Sequence, residues 1–386
     1  MQINSLLFKT FAYKVNIKYA KYLNFVCKTD KIYADGGALM RKFDYSFLKL
    51  GMVPAELIDV TNGINSFRIA SNERKERFKE IFTELEKVAK VQSVKSSNAI
   101  EGIVTTDQRI KDIVNGNSAP LNHNEAEIAG YRDCLNKIHT SHNSMQVNEE
   151  TILSLHKQLM SVANYDFGGQ YKDTDNVVME IDAYGNRRVR FRPIPASETK
   201  QAMEQLILAY MDAYNQGVNS LLLIPCFILD FLCIHPFRDG NGRMSRLLTL
   251  LLLYKAGFDA GKYISFEEQI NKDKAYYYEA LRRSSEKWDT NENDYFPFVN
   301  NSLFTLFSCY KELDKRFAVV NSKKVTKKGR IEATIMNSIT PLTKEQICLI
   351  LPDVSKTTVE AVLSQLLKDG KIEKHGNTRN AMYTHK

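Results

Sequence analysis

Twelve consecutive residues hold the clearest chemistry in this chain: His235-Pro236-Phe237-Arg238-Asp239-Gly240-Asn241-Gly242-Arg243-Met244-Ser245-Arg246. Gly240 and Gly242, with Asn241 between them, form a tight loop that opens a helix. Unpaired backbone N–H groups and the helix dipole there favour a phosphate. Arg243 and Arg246 lie three apart, which projects both from one face of the first turn toward that same anion. Asp239 offers a hard oxygen suited to Mg²⁺, an ion that usually bridges protein and nucleotide phosphates. His235 can take a proton near neutral pH. Singly, each residue has a plainer explanation, because Asp-Gly-Asn-Gly is a common turn and a lone histidine often caps a helix. Together they point to phosphoryl or nucleotidyl transfer.

Two strongly apolar segments must hold this loop. The first, Leu221 to Ile234, carries Pro225 and Asp230 and is too short to span a bilayer, so it reads as a buried core helix. The second, about 243–256, follows the loop directly. Further helices are expected at 71–94, 124–138, 149–160, 197–216, 272–285 and 295–317, where apolar residues recur at helical spacing. Val177-Val178-Met179-Glu180-Ile181 and Arg187-Arg188-Val189-Arg190-Phe191 flank the turn-rich 182–186 stretch, and Pro193 and Pro195 close it. That pattern is a β-hairpin. The body is therefore mainly α with one hairpin inserted.

The ends differ from the body. At 44% hydrophobic and 25% charged the composition excludes wholesale disorder. The net charge of +8 is uneven: residues 1–39 hold +4 and residues 321–386 hold +6, leaving the middle slightly acidic. Residues 1–39 show no sustained period and read as a dispensable extension before a second beginning at Met40. A basic linker at 319–328 leads to three short helices, at 331–339, 344–351 and 357–367, with Thr343 and Ser355 placed to cap the last two. The tail from Gly370 to His385 alternates into a two-stranded wing around Gly376-Asn377. This order is a winged helix-turn-helix, placing Lys356, Thr357, Thr358 and Gln365 near a DNA groove and Lys371, Lys374 and Arg379 near phosphates. The same shape equally serves dimerisation or target presentation. Six isolated cysteines, with no Cys-x-x-Cys pair, argue against a disulfide framework or zinc ribbon. No signal peptide and no membrane association are expected, and a reducing cytoplasm is the expected compartment.

The loop resembles the signature of Fic-domain proteins, His-x-Phe-x-Asp-Gly-Asn-Gly-Arg-x-x-Arg, at every defined position. The likeness extends over roughly 40–310. It implies a Fic-type helical bundle over 121–318, preceded by a helical region at 40–120 and followed by the winged helix at 329–386. It implies ATP as substrate, with Mg²⁺ on Asp239 and the phosphates in the Gly240–Gly242 nest. His235 would deprotonate a target-protein hydroxyl that attacks the α-phosphorus, while Phe237 points into the core. Gly169-Gln170-Tyr171-Lys172 and the hairpin at 177–191 are similar to the family's target-binding flap, with Lys172 where arginine is expected. Tyr277 and Tyr278 look like the wall of the adenine pocket, and core packing is the equal alternative. Ser96-Ser97-Asn98-Ala99-Ile100-Glu101-Gly102 resembles the inhibitory helix, Ser/Thr-x-x-x-Glu-Gly/Asn, in which Ser97 and Glu101 share one helical face and Glu101 pairs with Arg246. The resemblance therefore implies a self-inhibited protein adenylyltransferase. It also leaves room for self-modification, a homodimer and a reverse, AMP-removing activity. The rival reading is a DNA-binding transcriptional regulator that senses nucleotide, although a pure sensor has no need of His235.

Overall fold

The computed structural model describes residues 41–181, 187–321, 326–336, 338, 341–351, 354–376 and 381–385. The 1–39 extension, the hairpin turn at 182–186, part of the 319–328 linker, Asn377 and Arg379 lie outside them. The described chain is mainly helical. A short α1 (Phe47–Leu50) precedes two long helices, α2 (Ala55–Arg77) and α3 (Lys79–Ile100). The single helix expected at 71–94 is thus two helices, parted at Phe78, whose backbone leaves the helical region (φ −132°, ψ 43°). The Phe78 ring packs 5.8 Å from Phe317, so tertiary packing places the break. Most of α2 escaped the sequence pattern because its apolar stripe is thin: Leu57 and Ile64 are buried while Ile58 and Ile69 face out.

Next come α4 (Asp107–Val114), α5 (His123–Ser141) and α6 (Glu149–Ser161). Asn122 and Asn148 cap α5 and α6, their side-chain oxygens accepting the Glu125 and Thr151 N–H groups. The hairpin strands β1 (Val178–Ile181) and β2 (Arg187–Phe191) pair antiparallel with Met179 opposite Val189. After Pro195 the chain continues through α7 (Ala196–Asn215), α8 (Ser220–Ile234), α9 (Asn241–Lys255), α10 (Phe266–Lys272), α11 (Lys274–Ser285) and α12 (Phe296–Asn321).

Helix α8 runs through the core, and from Leu221 to Ile234 every residue is buried. Asp230, the one acid in that run, is satisfied there: Tyr45 Oη at 2.7 Å, Trp288 Nε1 at 2.6 Å and Tyr295 Oη at 2.9 Å all donate to its carboxylate. A buried carboxylate is tolerable only with such donors. It fastens both the start of the chain's body and the segment before α12 to the helix that delivers the loop.

The C-terminal segment has its own core of Ile331, Ile335, Ile347, Val359, Leu363 and Leu366. Its elements are α13 (Lys327–Met336), β3 (Leu342–Thr343), α14 (Lys344–Ile350), α15 (Lys356–Lys368), β4 (Ile372–His375) and β5 (Met382–His385). The expected first helix begins and ends earlier than its apolar pattern suggested, whereas Thr343 and Ser355 cap α14 and α15 as expected. The expected two-stranded wing gains a third strand, in the order β3–β5–β4. Among the described residues no helix is long and apolar enough to cross a membrane.

Candidate active site

The loop between α8 and α9 begins with a strained residue. His235 ends α8 in the left-handed region (φ 51°, ψ 60°), a conformation that costs energy for any residue with a β-carbon. Pro236 then forbids further helix. Phe237 is fully buried, its ring stacked 3.7 Å from His156 of α6. Asn241 closes the loop on itself: its Oδ1 accepts the Phe237 N–H at 2.9 Å and its Nδ2 donates to the Phe237 carbonyl at 2.8 Å. Gly240, at φ 81°, supplies the left-handed turn that starts α9.

The histidines on either side of Phe237 have defined tautomers. The Gly169 N–H donates to His156 Nδ1 at 3.0 Å, so Nε2 carries the proton that meets the Asp239 carbonyl at 3.1 Å. His235 Nδ1 lies 3.3 Å from the Leu232 carbonyl, which places its hydrogen there and leaves Nε2 as a lone pair. Burial pushes the His235 ring down to about 4, and the Lys172 charge acts the same way. His235 is therefore a neutral imidazole at physiological pH.

The two arginines diverge, contrary to the expectation that both face one anion. Arg243 Nη1 pairs with the buried Glu127 of α5 at 2.6 Å, and Nη2 lies 3.4 Å from Asp239. The reason is electrostatic, because a buried carboxylate on the neighbouring helix requires a counter-charge. Arg246 turns to the end of α3. Its Nε donates to Ser97 Oγ at 2.8 Å and its Nη2 to the Ser97 carbonyl at 3.0 Å and to Glu101 Oε1 at 2.8 Å. Burial opposes ionisation of Glu101, but Arg246, Arg243 and Lys274 together hold it below the ordinary carboxylate range.

Glu101 is not inside the helix, as its spacing from Ser97 suggested; it is the first residue beyond α3. The Gly102 N–H bonds to the Ala99 carbonyl and the Ile103 N–H to the Asn98 carbonyl, with Gly102 at φ 81°. This double closure is a Schellman motif, which needs a residue free to adopt positive φ. Lys274 Nζ adds a bond of 2.7 Å to the Ile100 carbonyl. The turn lays the Glu101 carboxylate against Gly242, where a β-carbon would collide with it. A carboxylate thus sits beside the first turn of α9, where the sequence placed a phosphate.

Other expected site residues separate into two groups. Asn241, expected to bind nucleotide, is buried with both ends of its side-chain amide engaged by Phe237, so its side chain shapes the loop. Tyr277 is buried against Phe298 at 5.9 Å and belongs to the core. Tyr278 is half-buried beside the site, flanked by Arg190 of β2 and Lys274, each within 6 Å of its ring. The Asp239 carboxylate is about half exposed and accepts the Gly240 N–H at 2.6 Å. Among the described residues no three acidic, histidine or cysteine side chains gather around a metal position. A single accessible carboxylate still fits Mg²⁺, which commonly keeps waters and takes its other ligands from substrate phosphates.

Nothing in the sequence pattern marked His156, Glu127, Asn176 or Lys274 as site residues. Each reaches the loop or the Glu101 turn only through packing, and none lies in a recognisable pattern.

A helical body, a hairpin beside the loop and a histidine–glycine loop opening a buried helix define the Fic type of protein. The model of the Fic/DOC family matches residues 146–253. A Fido domain-containing protein of Dictyostelium discoideum is 32% identical over 114 residues, which cover 28% of this chain and 71% of that one. The chain belongs to the Fic/DOC family. The protein adenylyltransferase Fic of Nematostella vectensis is 28% identical over 228 residues, 55% of this chain and 46% of that protein, so the match spans less than half of the relative. The crystal structure of a Fic family protein from Desulfovibrio desulfuricans G20 shares the fold, with a TM-score of 0.58, 19% identity and coverage of 87% of this chain and 97% of that one.

Proposed function

We propose that this chain is a self-inhibited protein adenylyltransferase that moves AMP from ATP to a hydroxyl side chain of a target protein. The observation that carries the reading is the grip of Ser97 and Glu101 on Arg246, immediately beside the loop that holds the neutral His235. A guanidinium paired with a carboxylate can exchange that partner for a phosphate of similar geometry. While Glu101 holds Arg246, a nucleotide reaching the α9 N-terminus lacks that clamp and meets a like charge.

With Glu101 displaced, the target hydroxyl gives its proton to His235 Nε2. Its oxygen forms a bond to the α-phosphorus as the bond from that phosphorus to the bridging oxygen breaks, and pyrophosphate leaves. The α9 N-terminus and Arg246 hold phosphate oxygens, and Arg243 keeps Asp239 in place. Asp239 is the residue that would hold Mg²⁺, which supplies charge neutralisation at the phosphates. The target segment docks along the hairpin, where Val177, Met179 and Val189 are exposed, by adding a strand. The same site serves self-modification and, with Glu101 orienting a water, removal of AMP.

The reading extends to the C-terminal segment as a winged helix-turn-helix. Among its seven candidate DNA contacts, Lys371 pairs with Glu332, Lys356 lies 3.9 Å from Glu345, and Gln365 donates to Asp369.

The test uses α-³²P-ATP and Mg²⁺ with wild type, Glu101→Gly and Glu101→Gly/His235→Ala. Glu101→Gly is expected to raise label on protein by about tenfold or more, the factor that corresponds to roughly 1.4 kcal/mol of lost inhibition. The double variant is expected to lose it. Equal labelling of wild type and Glu101→Gly would sink the inhibition; no labelling of any protein, with lysate supplied as target, would sink the transfer.

A further inference from the structure

The last carbonyls of a helix have no partners within it and must find them elsewhere. At the end of α8 this need runs on into the loop, and two residues of one short segment meet the last helix carbonyl and the three loop carbonyls after it. Lys172 Nζ donates to the Ile234 carbonyl at 3.2 Å, and its backbone N–H donates to the Pro236 carbonyl at 2.9 Å. Asn176 Nδ2 lies 3.4 Å from the His235 carbonyl and donates to the Phe237 carbonyl at 3.1 Å. Four successive carbonyls, 234 to 237, are thus met by two residues. The pair is itself joined, because Lys172 Nζ donates to Asn176 Oδ1 at 2.9 Å.

We propose that Lys172 and Asn176 are positioning residues that hold the strained His235 backbone, and with it the imidazole, in line for proton transfer, and that they tie this geometry to the base of the hairpin. The inference rests on the reaction proposed above. Asn176 stands two residues before β1. Its neighbour Asp175 accepts the Ala196 N–H at 2.7 Å, where the chain leaves β2 for α7. The segment that grips the loop is therefore the same one that closes the foot of the target-docking hairpin. Lys172 is buried, which lowers it to about 8, and at neutral pH it remains mostly a charged donor. A methionine there would keep most of the length and lose the donor.

The experiment is made in the Glu101→Gly background with Lys172→Met, Lys172→Arg and Asn176→Ala. Lys172→Met and Asn176→Ala are expected to lower kcat for AMP transfer by about 100-fold, the scale of a misplacement near 1 Å. The KM for ATP should stay within about threefold, since neither residue contacts the phosphate nest. Lys172→Arg should recover most of the loss. In parallel, ¹⁵N-labelled histidine spectra follow the His235 ring, identified among the seven histidines by its absence in His235→Ala. Its signals should shift or broaden in Lys172→Met and return in Lys172→Arg. An unmoved His235 signal, a kcat within about twofold of the parent, or a loss in which KM rises as much as kcat falls would overturn the proposal. If Glu101→Gly itself transfers no AMP, the reaction reading fails, and the histidine spectra alone decide the positioning claim.

Discussion

The loop's floor and its roof are held in different ways. The floor is a set of side chains that bond to the loop's own backbone: His156 to Asp239, Asn241 to Phe237, and Lys172 and Asn176 to the carbonyls of 234–237. The roof is the turn at Glu101, held by charge on Arg246 and by Lys274 on the Ile100 carbonyl. The floor's side chains end on peptide groups that no ligand replaces. The roof's key bond joins a carboxylate to a guanidinium, and a phosphate can take the carboxylate's place. Exposure follows the same division. Asn241 and His156 are buried, whereas the Glu101 side chain keeps 33% of its surface. In the reading proposed above, a fixed base beneath a displaceable anion makes a site that is built at all times and blocked most of the time.

Breaking the floor should give the largest effect. Asn241→Ala leaves the Phe237 N–H buried without its partner, at a cost of about 1–3 kcal/mol. In the Glu101→Gly background, AMP transfer is expected to fall by about 100-fold, read from initial rates, with a lower Tm. A variant with full activity would show that the loop holds its shape without the clamp. Loosening the roof should act in the opposite direction and more gently. Lys274→Met, in the otherwise wild-type chain, removes one bond from the Glu101 turn and should raise transfer by about fivefold, the factor for roughly 1 kcal/mol. A decrease would place Lys274 with the catalytic groups instead. The smallest effect expected is none. Because His235 is held near 4, below its ordinary value, it binds its proton only in acid. Lowering the pH from neutral to about 5 should therefore leave the base form intact. The kcat/KM profile of Glu101→Gly, which reports the free enzyme, should be flat over that range and fall only toward about pH 4. A decline centred near the ordinary histidine value would show an imidazole open to water.

The roof and the floor were unequally legible in the sequence. Glu101 and its glycine could be found because a helix end, a capping glycine and an acid compress into a few neighbouring residues. The loop was visible for the same reason. Its supports were not. Glu127, His156 and Asn176 lie 59 or more residues from the atoms they hold, and a lone polar residue on an apolar face carries no mark of its partner. Asn241 was seen as part of the nest, but its side-chain clamp on Phe237 was not, since an asparagine in a phosphate nest and one that clamps the nest have the same spelling. Arg243 was drawn toward the anion for want of knowing that α5 brings a buried acid beside it. The helices were read well where one face alone is apolar. They were misread at α2 and α3, where a packed phenylalanine sets the boundary, and α4 and α10 were missed, being only eight and seven residues long.

The three bonds of Arg246 also bear on how fast the site can open. Two of them end on Ser97, one on its hydroxyl and one on its main-chain carbonyl, and only the third ends on Glu101. Glu101 can rotate away about its own side-chain bonds while Ser97 keeps the guanidinium in place. Such a swing moves one side chain and needs none of the microsecond-to-millisecond motions of whole helices. The arginine is then already aimed when a nucleotide arrives, and helix α3 need not leave. The delay before such an enzyme acts would lie in the departure of one glutamate side chain, not in the movement of a helix.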